Sequence, residues 1–189
     1  MKHIKLYEAF ENLEPDQVWY HGRTQEITDF KKSLEFLSKD NNDEHGPGIY
    51  LTTDQKDAKG YGNFIHVVKF EPTGEIIKRG DKIKSTDFKI ATKIIKDFGN
   101  EWEMEANNWH QNPSQGIKEF LNSISKSSND RVDFYEYVWA DYFRYTPRLF
   151  VDGMVANGID GLIIPGYAGT EGMTHLVAYN TDALKIQNV

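Results

Sequence analysis

The stretch that decides the fold is GPGIYLTTDQKDAKGYG, residues 46–62. An apolar run, 48–52, follows a Gly-Pro-Gly turn and predicts a short strand. The polar segment 54–61 comes next and predicts a short helix, with Asp54 as a plausible N-cap. A strand followed directly by a helix is therefore the unit from which the rest of the chain is interpreted.

Two aromatic rings, Tyr50 and Tyr61, stand eleven residues apart in this unit. On the strand, Tyr50 faces away from Ile49 and Leu51, because side chains alternate between the faces of a sheet. On the helix, Ala58 and Tyr61 share a face, and the small Ala58 leaves room beside the ring. Two interpretations stay open. The rings flank a slot that suits a planar, cationic group, or both belong to the core.

Further strands are predicted on both sides of this unit, in the first and last thirds of the chain. They cover residues 18–21, 64–70, 159–164, 173–179 and 184–186. The segment between them, about 84–158, shows apolar stripes at helical spacing. Ser85 is a possible cap of its first helix, and its last helix begins at Pro147 and ends at Asn157-Gly158. We expect an α+β fold in one domain, 1–189, with a helical insertion at about 84–158.

Composition narrows the class of protein. Of the 189 residues, 39% are hydrophobic and 13% aromatic, which favours a packed globular fold. There is no cysteine, so disulfides and thiolate metal sites are excluded, and the six histidines lack metal-ligand spacing. A net charge of −7 argues against a broad basic surface for nucleic acid. No apolar run is long enough to predict a membrane span, and a cytoplasmic location is favoured.

Two histidines stand where chemistry is possible. His21 ends an early strand and is followed by Gly22, which lets a ligand approach the main chain closely. His175 begins a late strand, just after a glycine-rich loop that holds Glu171. The alternative is that neither histidine has a function, and that each simply lies at a strand end or on a sheet edge.

Together these places resemble the ADP-ribosyltransferase superfamily, on its diphtheria-toxin and poly(ADP-ribose) polymerase side, the His-Tyr-Glu type. That branch has a His-Gly at the end of an early strand, a G-I-Y strand, a small residue and a Tyr on the next helix, and a glutamate that opens a late strand. The corresponding positions here are His21-Gly22, Gly48-Ile49-Tyr50, Ala58, Tyr61 and the strand from His175. The resemblance implies a split β-sheet core of the ADP-ribosyltransferase type.

The resemblance also implies NAD as co-substrate and no metal. Nicotinamide would lie between Tyr50 and Tyr61, beside Ala58. Gly22 would bond the carboxamide through its main chain, and His21 would hold the adenosine-side ribose. Departure of nicotinamide passes through an oxocarbenium-like transition state, which requires positioning and a negative or lone-pair group near the ribose.

The third family position departs from the pattern, because His175 stands where the family has its catalytic glutamate. Either His175 acts as a neutral imidazole, or a carboxylate comes from elsewhere, with Glu171 as the first candidate. The other candidates are Glu136, Asp141 and Asp160. A third possibility is that only binding remains.

The expected function is that of an NAD-dependent mono-ADP-ribosyltransferase acting on a macromolecular acceptor, protein or nucleic acid. A small molecule is a further possible acceptor. The resemblance suggests a phage or toxin–antitoxin effector, with an antitoxin or inhibitor protein as a possible partner. The alternatives are a catalytically inactive module that binds NAD, a nucleotide or a protein, an NAD glycohydrolase, a structural protein, and an RNA 2′-phosphotransferase.

Overall fold

The decisive stretch folds as a strand, Ile49–Thr52, followed by a helix, Gln55–Lys59. The side chain of Asp54 accepts a hydrogen bond from the Lys56 amide at 2.7 Å, so the predicted N-cap is confirmed. Ile49 and Leu51 are buried, whereas Tyr50 between them is only half-buried. The alternation predicted for this strand is therefore correct.

A computed structural model describes residues 17–31, 45–99, 112–166 and 172–187. Within these ranges the chain forms seven strands, five α-helices, a π-helical segment at Trp139–Phe143 and a 3₁₀ turn at Thr181–Ala183. The strands are β1 (Trp19–Arg23), β2 (Ile49–Thr52), β3 (Phe64–Phe70), β4 (Glu75–Lys78), β5 (Ile159–Pro165), β6 (Thr174–Ala178) and β7 (Leu184–Gln187). The helices are α1 (Gln55–Lys59), α2 (Ser85–Phe98), α3 (Pro113–Ser127), α4 (Arg131–Val138) and α5 (Pro147–Ala156).

The seven strands form one sheet in the order β4-β5-β6-β2-β1-β3-β7. All neighbours are antiparallel except β4 and β5. Strands from the start and the end of the chain share the sheet, since β6 pairs with β2 and β7 pairs with β3. The predicted α+β class is thus confirmed, and the two β parts do meet in one sheet. The family-specific split-sheet arrangement stays a prediction.

Two local predictions need correction. The strand Glu75–Lys78 was missed, because only Ile76 and Ile77 are apolar and two residues show no periodicity. Ser85 is not the cap of α2: Lys84 takes that position, and its amide donates to the Asp87 side chain at 2.7 Å. The acidic side chain at the third helical position therefore satisfies the helix start.

The insertion is helical in its described part, as predicted, and a buried ion cluster ties it to the sheet. Arg131 at the start of α4 donates to both carboxylate oxygens of Asp87 on α2 and to Glu75 on β4. Arg131 and Asp87 are almost completely buried. Around them, one apolar core joins the helices to both β parts of the chain. In the described ranges, no helix is long and apolar enough to cross a membrane.

Candidate functional site

A cavity of about 370 Å³, partly open to solvent, lies where β1, β2, β6 and α1 meet. A concave surface that is partly open to solvent is the usual setting of a small-molecule site. Its lining residues are Tyr20, His21, Gly22, Tyr50, Leu51, Thr52, Asp57, Ala58, Tyr61 and His175. Three parts of the chain that are far apart in sequence therefore supply one concave surface.

Six residues singled out from the sequence line this cavity together. They are His21, Gly22, Tyr50, Ala58, Tyr61 and His175. Glu171, the first carboxylate candidate, lies outside the described residues. The structure thus brings together the positions of all three motifs, leaving only the carboxylate to be placed.

The cavity lies beside the short ladder between β1 and β2. These strands pair at Tyr20 and Thr52. The same antiparallel register would next place Gly22 opposite Tyr50, but the ladder does not extend that far. Instead the His21 imidazole donates through Nδ1 to the Tyr50 carbonyl oxygen at 2.7 Å. A side chain thus replaces the main-chain ladder, and the gap between the strands becomes part of the cavity.

The two tyrosines have different environments. Tyr50 is half-buried, and its hydroxyl donates to the Gly46 carbonyl oxygen at 2.7 Å and accepts from the His45 amide at 3.1 Å. Tyr61 is 57% exposed although it is a large aromatic residue. The interpretation that both rings belong to the core is therefore wrong for Tyr61. One wall of the cavity is fixed by hydrogen bonds, and the other presents an exposed ring.

Gly22 is required by the packing of α1 on β1. A Cβ at this position would overlap the main-chain carbonyl of Ala58. The sequence predicted that Gly22 lets a ligand approach the main chain, and the structure adds that a helix already does so. The contact sets the distance from α1 to the strand, and with it the place of Tyr61 just after α1.

His21 is a neutral histidine with a defined tautomer. Because Nδ1 donates to the Tyr50 carbonyl, Nε2 carries the lone pair. Nε2 is buried and has no hydrogen-bond partner among the described residues. Burial lowers the pKa of His21 to about 4, against the smaller opposing effect of the Tyr50 bond. His21 therefore lines the cavity as a neutral side chain whose acceptor nitrogen is buried.

His175 is joined to a carboxylate that the sequence analysis did not select. Its Nε2 lies 2.9 Å from Oδ2 of Asp57 on α1. The His175 side chain is 5% exposed and that of Asp57 is 23% exposed. Register pairs His175 with Thr52, on the face of β2 that carries Tyr50. A histidine–carboxylate pair thus forms one side of the cavity.

The other predicted carboxylates do not line the cavity. The Asp160 side chain accepts from the amides of Thr73 and Gly74, both at 2.6 Å, so it holds the turn before β4. Glu136 is 2.6 Å from His45 Nδ1 and also accepts from Arg79. Burial raises the pKa of Asp141, which lies in the π-helical segment. Of the carboxylates in the described ranges, Asp57 is the one at the cavity.

Asp57 was missed because its position resembles an ordinary helix start. An acidic residue in the first turn of a helix interacts favourably with the helix dipole, so it attracts no functional interpretation. A usable signal was present nonetheless. Asp57 precedes Tyr61 by four residues, which places both on the same side of the helix and its end.

The arrangement provides an exposed ring, a buried neutral acceptor and an oriented carboxylate around one cavity. No cluster of three or more potential metal ligands occurs in the described part of the chain. Comparison with models of protein families, with curated proteins and with solved structures finds no match to this chain. The site is therefore interpreted from its own chemistry and from the motifs in the sequence.

Proposed function

We propose that this protein is an NAD-dependent mono-ADP-ribosyltransferase, which cleaves the nicotinamide–ribose bond and transfers ADP-ribose to a macromolecular acceptor. The observation that carries the proposal is the convergence of the motifs. His21-Gly22, the 48–61 unit and His175 are separated by up to about 150 residues in sequence, and all three line one cavity. If the three motifs served only to pack the core, we would not expect them to line one partly open cavity together.

The exposed ring of Tyr61 fits the aromatic end of the co-substrate. NAD would supply a flat, positively charged ring that leaves as neutral nicotinamide. An aromatic face attracts such a cation, and the attraction weakens once the ring is neutral. Tyr50 is held by its hydroxyl and lines the same cavity as Tyr61. The pair therefore favours the charged ring over the released one.

The buried Nε2 of His21 fits the ribose on the adenosine side. An unprotonated ring nitrogen accepts a hydrogen bond from a sugar hydroxyl, and satisfying a buried acceptor removes its desolvation penalty. The low pKa of His21 keeps this nitrogen free of a proton at neutral pH. Gly22 lines the same cavity, and in this proposal its main chain bonds the carboxamide.

The proposal is tested by incubating the purified protein with NAD labelled in its adenine half, with and without cell lysate. Release of nicotinamide and transfer of label to protein or nucleic acid are followed. We expect release and transfer by the wild type. Tyr61→Ala should weaken NAD binding about 10-fold or more, since stacking on an aromatic ring contributes roughly 1–3 kcal/mol. Tyr61→Phe should retain most of it.

A matched control comes from the helical insertion. Tyr137 on α4 is 39% exposed and does not line the cavity. Tyr137→Ala should bind and cleave NAD like the wild type. Equal losses in Tyr137→Ala and Tyr61→Ala, or no NAD binding by the wild type, would contradict the proposal.

A second candidate is an inactive module that binds NAD without cleaving it. The observation that favours it is His175 at the position of the family's catalytic glutamate. This candidate predicts NAD binding that depends on Tyr61, with no nicotinamide release in buffer or in lysate. The same labelling experiment separates it from the transferase.

A further inference from the structure

We infer that Asp57, held in place by His175, is the catalytic carboxylate that stabilises the positive charge on the ribose. The inference rests on the proposed function and names the group that replaces the family's glutamate. In the described ranges, Asp57 is the carboxylate that lines the cavity. It reaches the cavity from α1, whereas the family's glutamate opens a late strand.

The geometry assigns different roles to the two residues: His175 positions the carboxylate, and Asp57 contacts the substrate. His175 is buried on β6 and its Nε2–H donates to Oδ2 of Asp57 at 2.9 Å, which fixes the side-chain torsions of the carboxylate. Oδ1 of Asp57 has no hydrogen-bond partner within the described part of the chain, and the side chain is 23% exposed. One oxygen is therefore anchored to the protein while the other remains for the substrate.

The charge of the pair suits the chemistry. The Asp57 carboxylate, bonded to the His175 imidazole, lies at the cavity wall. In the proposed reaction the bond between ribose C1′ and the nicotinamide nitrogen breaks, and its electron pair leaves with the ring. The positive charge stays on the ribose until the acceptor nucleophile bonds to C1′ and its proton passes to water. A preorganised negative charge at this point stabilises the transition state more than the ground state.

His175 thus has a different task from the one first considered. A lone neutral imidazole could accept a hydrogen bond from a ribose hydroxyl but carries no negative charge, and an imidazolium would repel the developing cation. Bonded to Asp57, it orients a carboxylate instead. In this inference the carboxylate comes from Asp57 on α1. His175, at the position of the family's glutamate, orients it.

The test uses two isosteric comparisons in the full chain. Asp57→Asn removes the charge at constant shape. His175→Gln keeps a donor for Asp57, whereas His175→Met has nearly the same size and no donor. NAD affinity, the rate of nicotinamide release at saturating NAD and the urea midpoint are measured for each variant.

We expect Asp57→Asn to lower the release rate about 100- to 1000-fold, the usual cost of removing one electrostatic group from a preorganised site. Its affinity for NAD should stay within about threefold, because the group acts mainly in the transition state. His175→Met should lower the rate about 10- to 100-fold without the same loss of affinity. His175→Gln should recover much of it, which a residue needed only for packing would not show.

The outcomes distinguish this inference from the proposed function. If the wild type releases no nicotinamide, the proposed function fails and the inference fails with it. If the wild type is active and Asp57→Asn keeps more than a tenth of the rate, the inference alone is overturned. If Glu171→Gln loses activity and Asp57→Asn stays active, Glu171 is the catalytic carboxylate and the inference is overturned.

Discussion

Two polar clusters of this protein differ in the hydrogen bonding of their buried polar atoms. In the insertion, Arg131 bonds to Asp87 and Glu75, and the Tyr135 hydroxyl also donates to Asp87 at 3.2 Å. At the cavity, His21 leaves a buried nitrogen without a partner in the described residues. Buried polar groups are nearly always satisfied in native proteins, so the unsatisfied nitrogen of His21 requires an explanation. We propose that the explanation is a ligand bound at the cavity.

The difference separates charges that are fully used in packing from charges at the proposed site. Although burial alone would lower the pKa of Arg131, its bonds to Glu75 and Asp87 raise it above its usual value. Every strong donor there has an acceptor, and nothing is left for a substrate. At the cavity, the Asp57–His175 pair is partly exposed and adjoins an exposed aromatic ring. We therefore expect substitutions in the first cluster to change stability and those in the second to change chemistry.

The largest effect is expected for Arg131→Met. It removes the cation from an ion cluster and leaves the buried carboxylate of Asp87 uncompensated, which costs about 3–5 kcal/mol of the free energy of unfolding. Urea denaturation measures the loss. The control is Arg148→Met, because the Arg148–Asp152 pair on α5 is exposed and should contribute less than about 1 kcal/mol. Equal losses in the two variants would show that the buried cluster contributes no more to the free energy of unfolding than an exposed ion pair. If Arg131→Met does not fold, Arg131→Lys tests the same point with an intermediate loss.

The second effect is a pH dependence that comes from His21. Its pKa is about 4 in the folded protein and 6.5 in the ordinary reference state, so the unfolded chain takes up a proton first as pH falls. The contribution of His21 to stability is complete above about pH 6.5 and declines towards pH 4, by up to about 3 kcal/mol.

The measurement is the free energy of unfolding of the wild type and of His21→Gln at several pH values. Burial also lowers the pKa of the neighbouring His66, which adds a slope of the same sign to both proteins. The difference between the two curves therefore isolates His21. A difference that stays constant between pH 7 and pH 4.5 would mean that His21 is not held neutral.

Much of the fold could be predicted from the sequence because its periodic signals are strong. The strand–helix unit at 46–62 and the last helix of the insertion carry clear alternation or apolar stripes, and they lie where predicted within one or two residues. The strand Glu75–Lys78 could not be predicted, since it is defined by parallel pairing with β5. That pairing joins segments more than 80 residues apart, and no local pattern specifies it.

The site was predictable only where its residues are unusual for their local structure. His21-Gly22 and Tyr61 were singled out from the sequence, and they line the cavity. The prediction that His21 ends its strand was wrong, because β1 continues to Arg23. Asp57 was not singled out, because an acidic residue is normal in the first turn of a helix. Its significance depends on a contact with His175, 118 residues later. Tertiary contacts of this range are not visible in a single sequence.

A third prediction concerns the packing that positions the exposed ring. Gly22→Ala forces the main chain of α1 away from β1, because the added Cβ overlaps the Ala58 carbonyl. Overpacking of this kind costs about 1–3 kcal/mol, and the shift of α1 should also weaken NAD binding. Gly60→Ala is the control, since Gly60 has an ordinary helical φ of −63° and its added Cβ meets Asp57 O at 3.1 Å. If Gly22→Ala keeps the NAD affinity of the wild type, NAD binding does not depend on the position of α1.

The smallest effect compares two tyrosine hydroxyls, one bonded and one not. Tyr50→Phe removes the bonds to Gly46 and His45 and should cost about 1–2 kcal/mol of stability, since two main-chain groups lose their partner. The Tyr179 hydroxyl is buried without a partner in the described residues, and burial raises its pKa. Tyr179→Phe should therefore be neutral or stabilising. Because the Tyr50 hydroxyl fixes one wall of the cavity, Tyr50→Phe should also reduce NAD affinity a few-fold, whereas Tyr179→Phe should leave it unchanged. Identical behaviour of the two variants in calorimetry and in NAD titration would mean that the 45–46 turn does not hold the ring.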